Sequence, residues 1–242
     1  MNLVVIPARY NSQRFPGKPL ALINNVTMVE RVYRQVEKAR LVDKIVVATE
    51  DKRIYDAVTG FGGLCVMTKD THQSGTDRMA EAVYHFPEAK IIVNVQGDEP
   101  IIDPSIIDAS IKPFLSDPGL EMTTLAFHIN EDCEDINNPN LVKVVVDENN
   151  FAVYFSRSVI PYKRNPDINY PYLGHIGLYA FNKETLIKFA SLKPTLVEQA
   201  ESLEQLRALA NNIKIKVIVV TARSYAVDVT DDIKTIEKLL VK

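Results

Sequence analysis

Leu3-Val4-Val5-Ile6-Pro7-Ala8-Arg9-Tyr10-Asn11-Ser12-Gln13-Arg14-Phe15-Pro16-Gly17-Lys18-Pro19-Leu20 is the stretch whose reading decides the fold. Residues 3–6 form an unbroken apolar run, the pattern of a core strand buried on both faces. The loop after it carries Arg9, Arg14 and Lys18, and Gly17 permits close approach of the backbone, a combination suited to a triphosphate. In doubly wound sheets ligands bind beyond the carboxyl ends of the strands, so this loop is the first candidate site. Charge alone leaves a solvated basic loop as an equal reading. The stretch contains neither the P-loop pattern nor GxGxxG, so a nucleotide here would be held in a different fold context.

Outward from this stretch, apolar runs at 45–48, 64–67 and 91–95 alternate with helical patterns at 28–39 and 53–60. That alternation predicts a Rossmann-like α/β fold with a mostly parallel central sheet and crossover helices. Thr27 and Glu30 have capping-box spacing, and Met28, Val32, Val36 and Ala39 then share a face. After residue 120 the pattern becomes strand-rich, with strands expected at 121–129, 141–146, 152–155 and 172–181 and a hairpin turn at 147–150. Thr195 and Glu198 repeat the capping-box spacing ahead of one helix carrying Ala200, Leu203, Leu206 and Leu209, followed by a strand at 214–220 and a helix from about 231. No linker or repeat interrupts the chain, so 1–242 is expected to be a single domain with a strand-rich insertion at about 121–181.

A chain of 242 residues that is 46% hydrophobic can bury one substantial core. With 28 basic and 31 acidic residues dispersed along it, the chain lacks the electrostatic footprint of a general nucleic-acid binder. Cys65 and Cys133 have no disulfide or zinc spacing. No apolar run approaches the roughly 20 residues that span a bilayer, and Met1 leads directly into a core strand, so no membrane insertion and a cytoplasmic location are expected.

Further segments carry chemistry. They are His72-Gln73-Ser74-Gly75-Thr76-Asp77-Arg78, Val93-Asn94-Val95-Gln96-Gly97-Asp98-Glu99-Pro100, Tyr154-Phe155-Ser156-Arg157, His175-Ile176-Gly177-Leu178-Tyr179, Leu203-Glu204-Gln205-Leu206-Arg207 and Val227-Asp228-Val229. Taken singly, Asp98 and Asp228 read as turn or cap residues after strands. His175, Tyr179 and Glu204 likewise read as ordinary strand, core or helix-face residues. Ser74, Gly75 and Arg78 fit either a helix-leading turn, with the helix from about Met79, or contacts to ribose, base or phosphate. Together, in this order and over nearly the whole chain, these segments and the 6–20 loop resemble the cytidylyltransferases that make CMP-3-deoxy-manno-octulosonate.

The resemblance implies a nucleotidyltransferase fold, CTP and a 3-deoxy-manno-octulosonate-type acid sugar as substrates, and pyrophosphate as the leaving product. It implies that Ala8, Arg9, Arg14, Gly17, Lys18, Ser74, Gly75 and Arg78 meet the nucleotide. Gln96, Arg157, His175, Tyr179, Glu204 and Gln205 would line the sugar pocket, and Asp98 and Asp228 would hold Mg²⁺, whose usual ligands are carboxylates, phosphate oxygens and water. Arg9, Lys18, Asp98 and Asp228 are then the catalytic set, with a second Mg²⁺ bridging the two aspartates able to lower the pKa of the attacking hydroxyl. A homodimer formed through the central strand-rich region is also implied, as is a role in lipopolysaccharide biosynthesis.

The acceptor stays open between this sugar, its 8-amino analogue and, further off, a sialic acid. A CTP-binding regulatory protein without turnover is the alternative from another class. Two departures from the family pattern stand out: Val229-Thr230-Asp231-Asp232-Ile233 after Asp228, and Ala200-Glu201-Ser202 before the 203–207 segment. The second borders the expected sugar pocket.

Overall fold

The computed structural model describes residues 1–11, 15–130, 136–222 and 225–240, so Arg14 and Cys133 lie outside the described residues. In chain order the strands are β1 Asn2–Ala8, β2 Leu22–Ile23, β3 Val26–Thr27, β4 Lys44–Thr49, β5 Cys65–Met67, β6 Ile91–Asn94, β7 Met122–His128, β8 Lys143–Val146, β9 Ala152–Ser156, β10 Leu173–Asn182 and β11 Ile215–Val219. The helices are α1 Met28–Val36, α2 Lys52–Gly60, α3 Gly75–Val83, α4 Pro104–Ser116, α5 Lys183–Ser191, α6 Leu196–Glu201, α7 Gln205–Ala210 and α8 Thr230–Leu240.

The main sheet runs β11-β7-β10-β6-β1-β4-β5, with the β8–β9 hairpin attached to β10. β1 pairs in parallel with β4 and β6, and β4 with β5, as the alternating pattern predicts. β10 is antiparallel to both β6 and β7. Within 121–181, β7 and β10 are therefore members of the central sheet, and the β8–β9 hairpin extends it. The turn at 147–150 forms between β8 and β9, with Asn150 in the left-handed region and the Asp147 carboxylate accepting from the Phe151 amide at 2.8 Å.

Helices cover both faces, and β1 shows why. Val4 and Ile6 pack with Val29, Val32, Val36, Ile107 and Ile111 from α1 and α4 on one side. Leu3 and Val5 pack with Met79, Val83, Leu186 and Phe189 from α3 and α5 on the other. Alternation along a strand sends successive side chains to opposite layers, so a continuous apolar run supplies both. A smaller cluster joins Ile23, Met28, Val227 and Ile236, docking α8 and fixing the chain just before Asp228.

Two expectations are corrected. The helix after Ser74 starts at Gly75 rather than near Met79, because Ser74 and Asp77 form a reciprocal capping box. The expected single helix through Ala200 and Leu209 is broken: α6 ends at Ser202 (φ 51°, ψ 50°), and α7 begins at Gln205. Glu201 and Gln205 therefore do not share a helix face. The Thr195–Glu198 box forms in full, whereas at α1 only the Thr27 side chain accepts, from the Glu30 amide at 3.4 Å.

Candidate active site

β1, β4 and β6 end together, and the segments leaving them meet at the sheet's carboxyl edge. A cleft of about 330 Å³ there is lined by Pro7, Ala8, Arg9, Asn11, Lys18, Pro19, Gly75, Gln96, Gly97 and Asp98. The first loop is pinned at several points. The Gly17 amide donates to the Tyr10 carbonyl at 2.8 Å, the Tyr10 amide donates to Glu50 Oε1 at 3.2 Å, and Arg53 stacks on the Tyr10 ring. Gly17 is left-handed at φ 73°, and a side chain there would crowd the Tyr10 ring as well as strain the backbone. Gly97 is required for a different reason: a Cβ would stand 2.9 Å from the Pro7 carbonyl oxygen. Only glycine lets the 96–98 turn lie against the end of β1.

Lys18 ties three segments of the chain into one site. Its ammonium donates to Asp98 Oδ2 at 2.6 Å and to the Val227 carbonyl at 2.8 Å. The Val227 amide donates back to the Asp98 carbonyl at 2.9 Å, which brings Asp228 alongside Asp98. Asp232 fixes that turn by accepting from the Asp228 and Val229 amides at 2.8 and 2.9 Å. Within the departing segment after Asp228, Asp232 is thus the carboxylate that shapes the loop. Among the described residues no group of three acidic, His or Cys side chains gathers in metal-binding fashion. Asp98 lines the cleft and Asp228 follows the residue whose amide is bonded to the Asp98 backbone, and carboxylates of this kind fit Mg²⁺, which takes its remaining ligands from phosphate and water.

Arg9 Nη2 is buried without a hydrogen-bond partner among the described residues, and Arg9 lines the cleft. A desolvated, unpaired cation is costly unless an anion meets it. Arg78 has a different place from the one the sequence suggests. It is 1% exposed, does not line the cleft, and bonds the Thr68 hydroxyl while pairing with Glu50 at 2.7 Å. Burial, the largest influence, lowers its pKa, and Arg9 acts in the same direction. Its visible work is to hold Glu50, which in turn holds the start of the first loop.

The expected sugar residues converge beside this cleft. β10 runs antiparallel to β6, so Tyr179 lies opposite Asn94 at the carboxyl end of β6, and His175 extends past it. His175 Nε2 bonds the Thr124 hydroxyl at 2.9 Å, and its ring packs against Phe155 and Tyr179. Burial pushes the imidazole down to about 3, so it is neutral near pH 7. The Tyr179 phenol is pushed up by burial and then by the Glu204 carboxylate. Glu204 is itself raised, chiefly by burial, with hydroxyl donors and Arg207 opposing. Gln205 Nε2 and Asn94 Oδ1 are buried without hydrogen-bond partners among the described residues, as a pocket awaiting hydroxyl groups would leave them.

Arg157 stands apart. Its guanidinium donates to the carbonyls of Glu201, Pro139 and Ser202 at 2.7, 2.9 and 3.3 Å, while Glu201 accepts from the Ser156 hydroxyl and the Arg157 amide. In this structure it clamps the end of α6 to β9. Sequence reasoning also missed Asn94, Glu50 and Thr76. Asn94 and Thr76 lie inside recognised segments, and the signal for Asn94 is its place two residues before Gln96, on the same side of an extended chain; Glu50 lies in none of them.

Residues 3–215 match the family described as cytidylyltransferase. A 3-deoxy-manno-octulosonate cytidylyltransferase of Desulfosudis oleivorans is 48% identical over 238 residues, covering 98% of this chain and 96% of that protein. The protein of the same description from Pelobacter propionicus is 46% identical, covering 96% and 95% of the two chains. A solved structure of CMP:2-keto-3-deoxy-manno-octonic acid synthetase complexed with CTP superposes with a TM-score of 0.93 at 40% identity, covering 99% of this chain and 98% of that one. With nearly the whole length of the chain matched both in sequence and in structure, this chain belongs to the 3-deoxy-manno-octulosonate cytidylyltransferase family.

Proposed function

We propose that the chain transfers the cytidylyl group of CTP to the anomeric hydroxyl of 3-deoxy-manno-octulosonate, releasing pyrophosphate, as a step of lipopolysaccharide biosynthesis in the cytoplasm. The observation that carries this reading is the Lys18 junction, which binds the first loop, Asp98 and the Val227–Asp228 turn together at the open end of β1. The hydroxyl oxygen attacks the α-phosphorus in line, and the bond to the β-phosphate oxygen breaks. Arg9 and Lys18 face the charge that builds on the phosphates, and catalysis is positioning plus electrostatic stabilisation. Asp98 and Asp228 would hold Mg²⁺, which when bound supplies further positive charge at the phosphates and acidifies a nearby hydroxyl.

Asn94, Gln96, Tyr179, Glu204 and Gln205 offer both donors and acceptors for a polyhydroxylated acid, and neutral His175 keeps Thr124 and Tyr179 in place. A second copy of the chain is the proposed partner. Val153 and Tyr154 on β9, with Tyr162 (86% exposed) and Ile168 beyond it, are exposed apolar residues of the central region, and they support the expected homodimer.

The test is pyrophosphate release with CTP and Mg²⁺, offering 3-deoxy-manno-octulosonate and its 8-amino analogue separately, with UTP and ATP as controls. Turnover with CTP and the first sugar is expected. Turnover only with the analogue would reassign the acceptor, and CTP binding without turnover on any sugar would favour a regulatory role.

A further inference from the structure

The first turn of α3 faces in two directions. Gly75 lines the nucleotide cleft, while the hydroxyls beside it point to the sugar side. Thr76 is 3% exposed, and its Oγ1 donates to Glu204 Oε2 at 2.6 Å. Ser74 accepts the Asp77 amide at 3.1 Å as the cap of α3, which fixes the turn that carries Thr76. Across 128 positions of sequence, the turn next to the nucleotide thus holds a residue of the expected sugar pocket. Glu204 leads into α7 just after the left-handed Ser202, and its side chain makes no capping bond to that helix, which leaves its carboxylate for other partners. Its other oxygen, Oε1, is buried without a hydrogen-bond partner among the described residues, with Arg207 at 3.5 Å. Arg207 is in turn committed to Glu198 through bonds of 2.5 and 2.9 Å.

We infer that Thr76 is a positioning residue for the acid-sugar acceptor: its hydroxyl, fixed by the first turn of the helix that borders the nucleotide, aims the Glu204 carboxylate at the sugar hydroxyls. This inference rests on the proposed cytidylyl transfer. A hydrogen bond to a buried carboxylate is among the stronger ones, and leaving a carboxylate oxygen unpaired adds a desolvation cost. Thr76→Val keeps the shape of the side chain and removes the donor. Near Glu204 the other charged or titratable groups are Tyr179 on β10, Asp77 on α3, and Arg207 on α7 with its partner Glu198 on α6.

Steady-state kinetics of wild type, Thr76→Val and Thr76→Ser, with CTP or sugar varied in turn, test the inference. Thr76→Val is expected to raise the sugar KM on the order of tenfold while kcat and the CTP KM stay within about twofold. Thr76→Ser, which keeps the hydroxyl, restores the wild-type sugar KM. The acid limb of kcat/KM for sugar moves to higher pH in Thr76→Val, since the lost bond favoured the carboxylate form. An unchanged sugar KM and acid limb in Thr76→Val would overturn the inference, as would equal losses in both substrates' KM and in kcat that Thr76→Ser does not repair. If Thr76→Val fails to fold, Thr76→Ala carries the same comparison. Wild-type protein inactive with every sugar would refute the proposed transfer itself, which separates the two failures.

Discussion

Lys18 shows how much one side chain can do and how much of it was legible beforehand. Its charge beside Arg9 and a glycine pointed to phosphates, and Asp98 and Asp228 were visible through their segments. The bond from Lys18 to the Val227 carbonyl was not, because it joins positions 209 apart that only the fold brings together. Lys18→Met should lower kcat/KM for CTP by about 10²-fold or more, since the charge proposed to stabilise the phosphates during transfer is removed, and should also lower the thermal midpoint, since its bonds to Asp98 and Val227 are lost. Gly97→Ala should cost on the order of 10²-fold in kcat, because a Cβ against the Pro7 carbonyl displaces the turn that carries Asp98. His175 gives a stability prediction. Its folded pKa, about 3, lies below that of a free imidazole, so the unfolded chain binds the proton first and stability falls as pH drops. The slope from this group approaches about 1.4 kcal/mol per pH unit between roughly 6.5 and the folded value. Denaturation of His175→Gln at pH 7 and pH 5 should show a smaller drop than wild type; an equal drop would place the acid sensitivity elsewhere. Burial also explains what the sequence concealed at this scale: Asn94 and Thr76 matter through buried atoms with particular neighbours, and residue type alone carries neither.

Among elements, the early strands and α1 and α2 follow from period and caps, and their expected limits differ from the observed ones by only a few residues. α4 and α5 have no counterpart among those expectations. Pro113 lies inside α4 and interrupts the helical pattern, although Asp103 followed by Pro104 is an N-cap and first-turn signal that marks its start. The α6–α7 break was hidden for another reason. Leu203 and Leu206 are both buried, so their spacing mimics one helix, while Ser202 adopts a left-handed conformation that the apolar pattern does not register. Ser202→Val should destabilise the protein by about 1–2 kcal/mol in chemical denaturation, and Ser202→Gly should be neutral or stabilising, since only the former is strained there. The direction of β10 was equally hidden, because alternation and length are the same for a strand running either way. Its reversal brings Tyr179 and His175, two of the residues expected to meet the sugar, to the edge where the parallel strands end.

For the whole molecule, the sheet provides one open edge on which remote segments converge, and helices on both faces keep that edge fixed. Among the described residues no helix is long and apolar enough to cross a membrane. The exposed apolar residues on and beyond β9 predict a dimer: sedimentation should give twice the chain mass, and Tyr162→Glu with Val153→Glu should shift it toward the monomer. Chelation with EDTA should abolish turnover, and added Mg²⁺ should restore it without a change in fold by circular dichroism. In the proposed reaction, CTP cleavage and sugar transfer are coupled at the Lys18–Asp98 junction. ³¹P NMR of a reaction containing CTP, Mg²⁺ and 3-deoxy-manno-octulosonate should show a CMP–sugar phosphodiester and pyrophosphate rising together with wild type, and neither signal with correctly folded Asp98→Asn. Pyrophosphate without the phosphodiester, or undiminished product from Asp98→Asn, would contradict it.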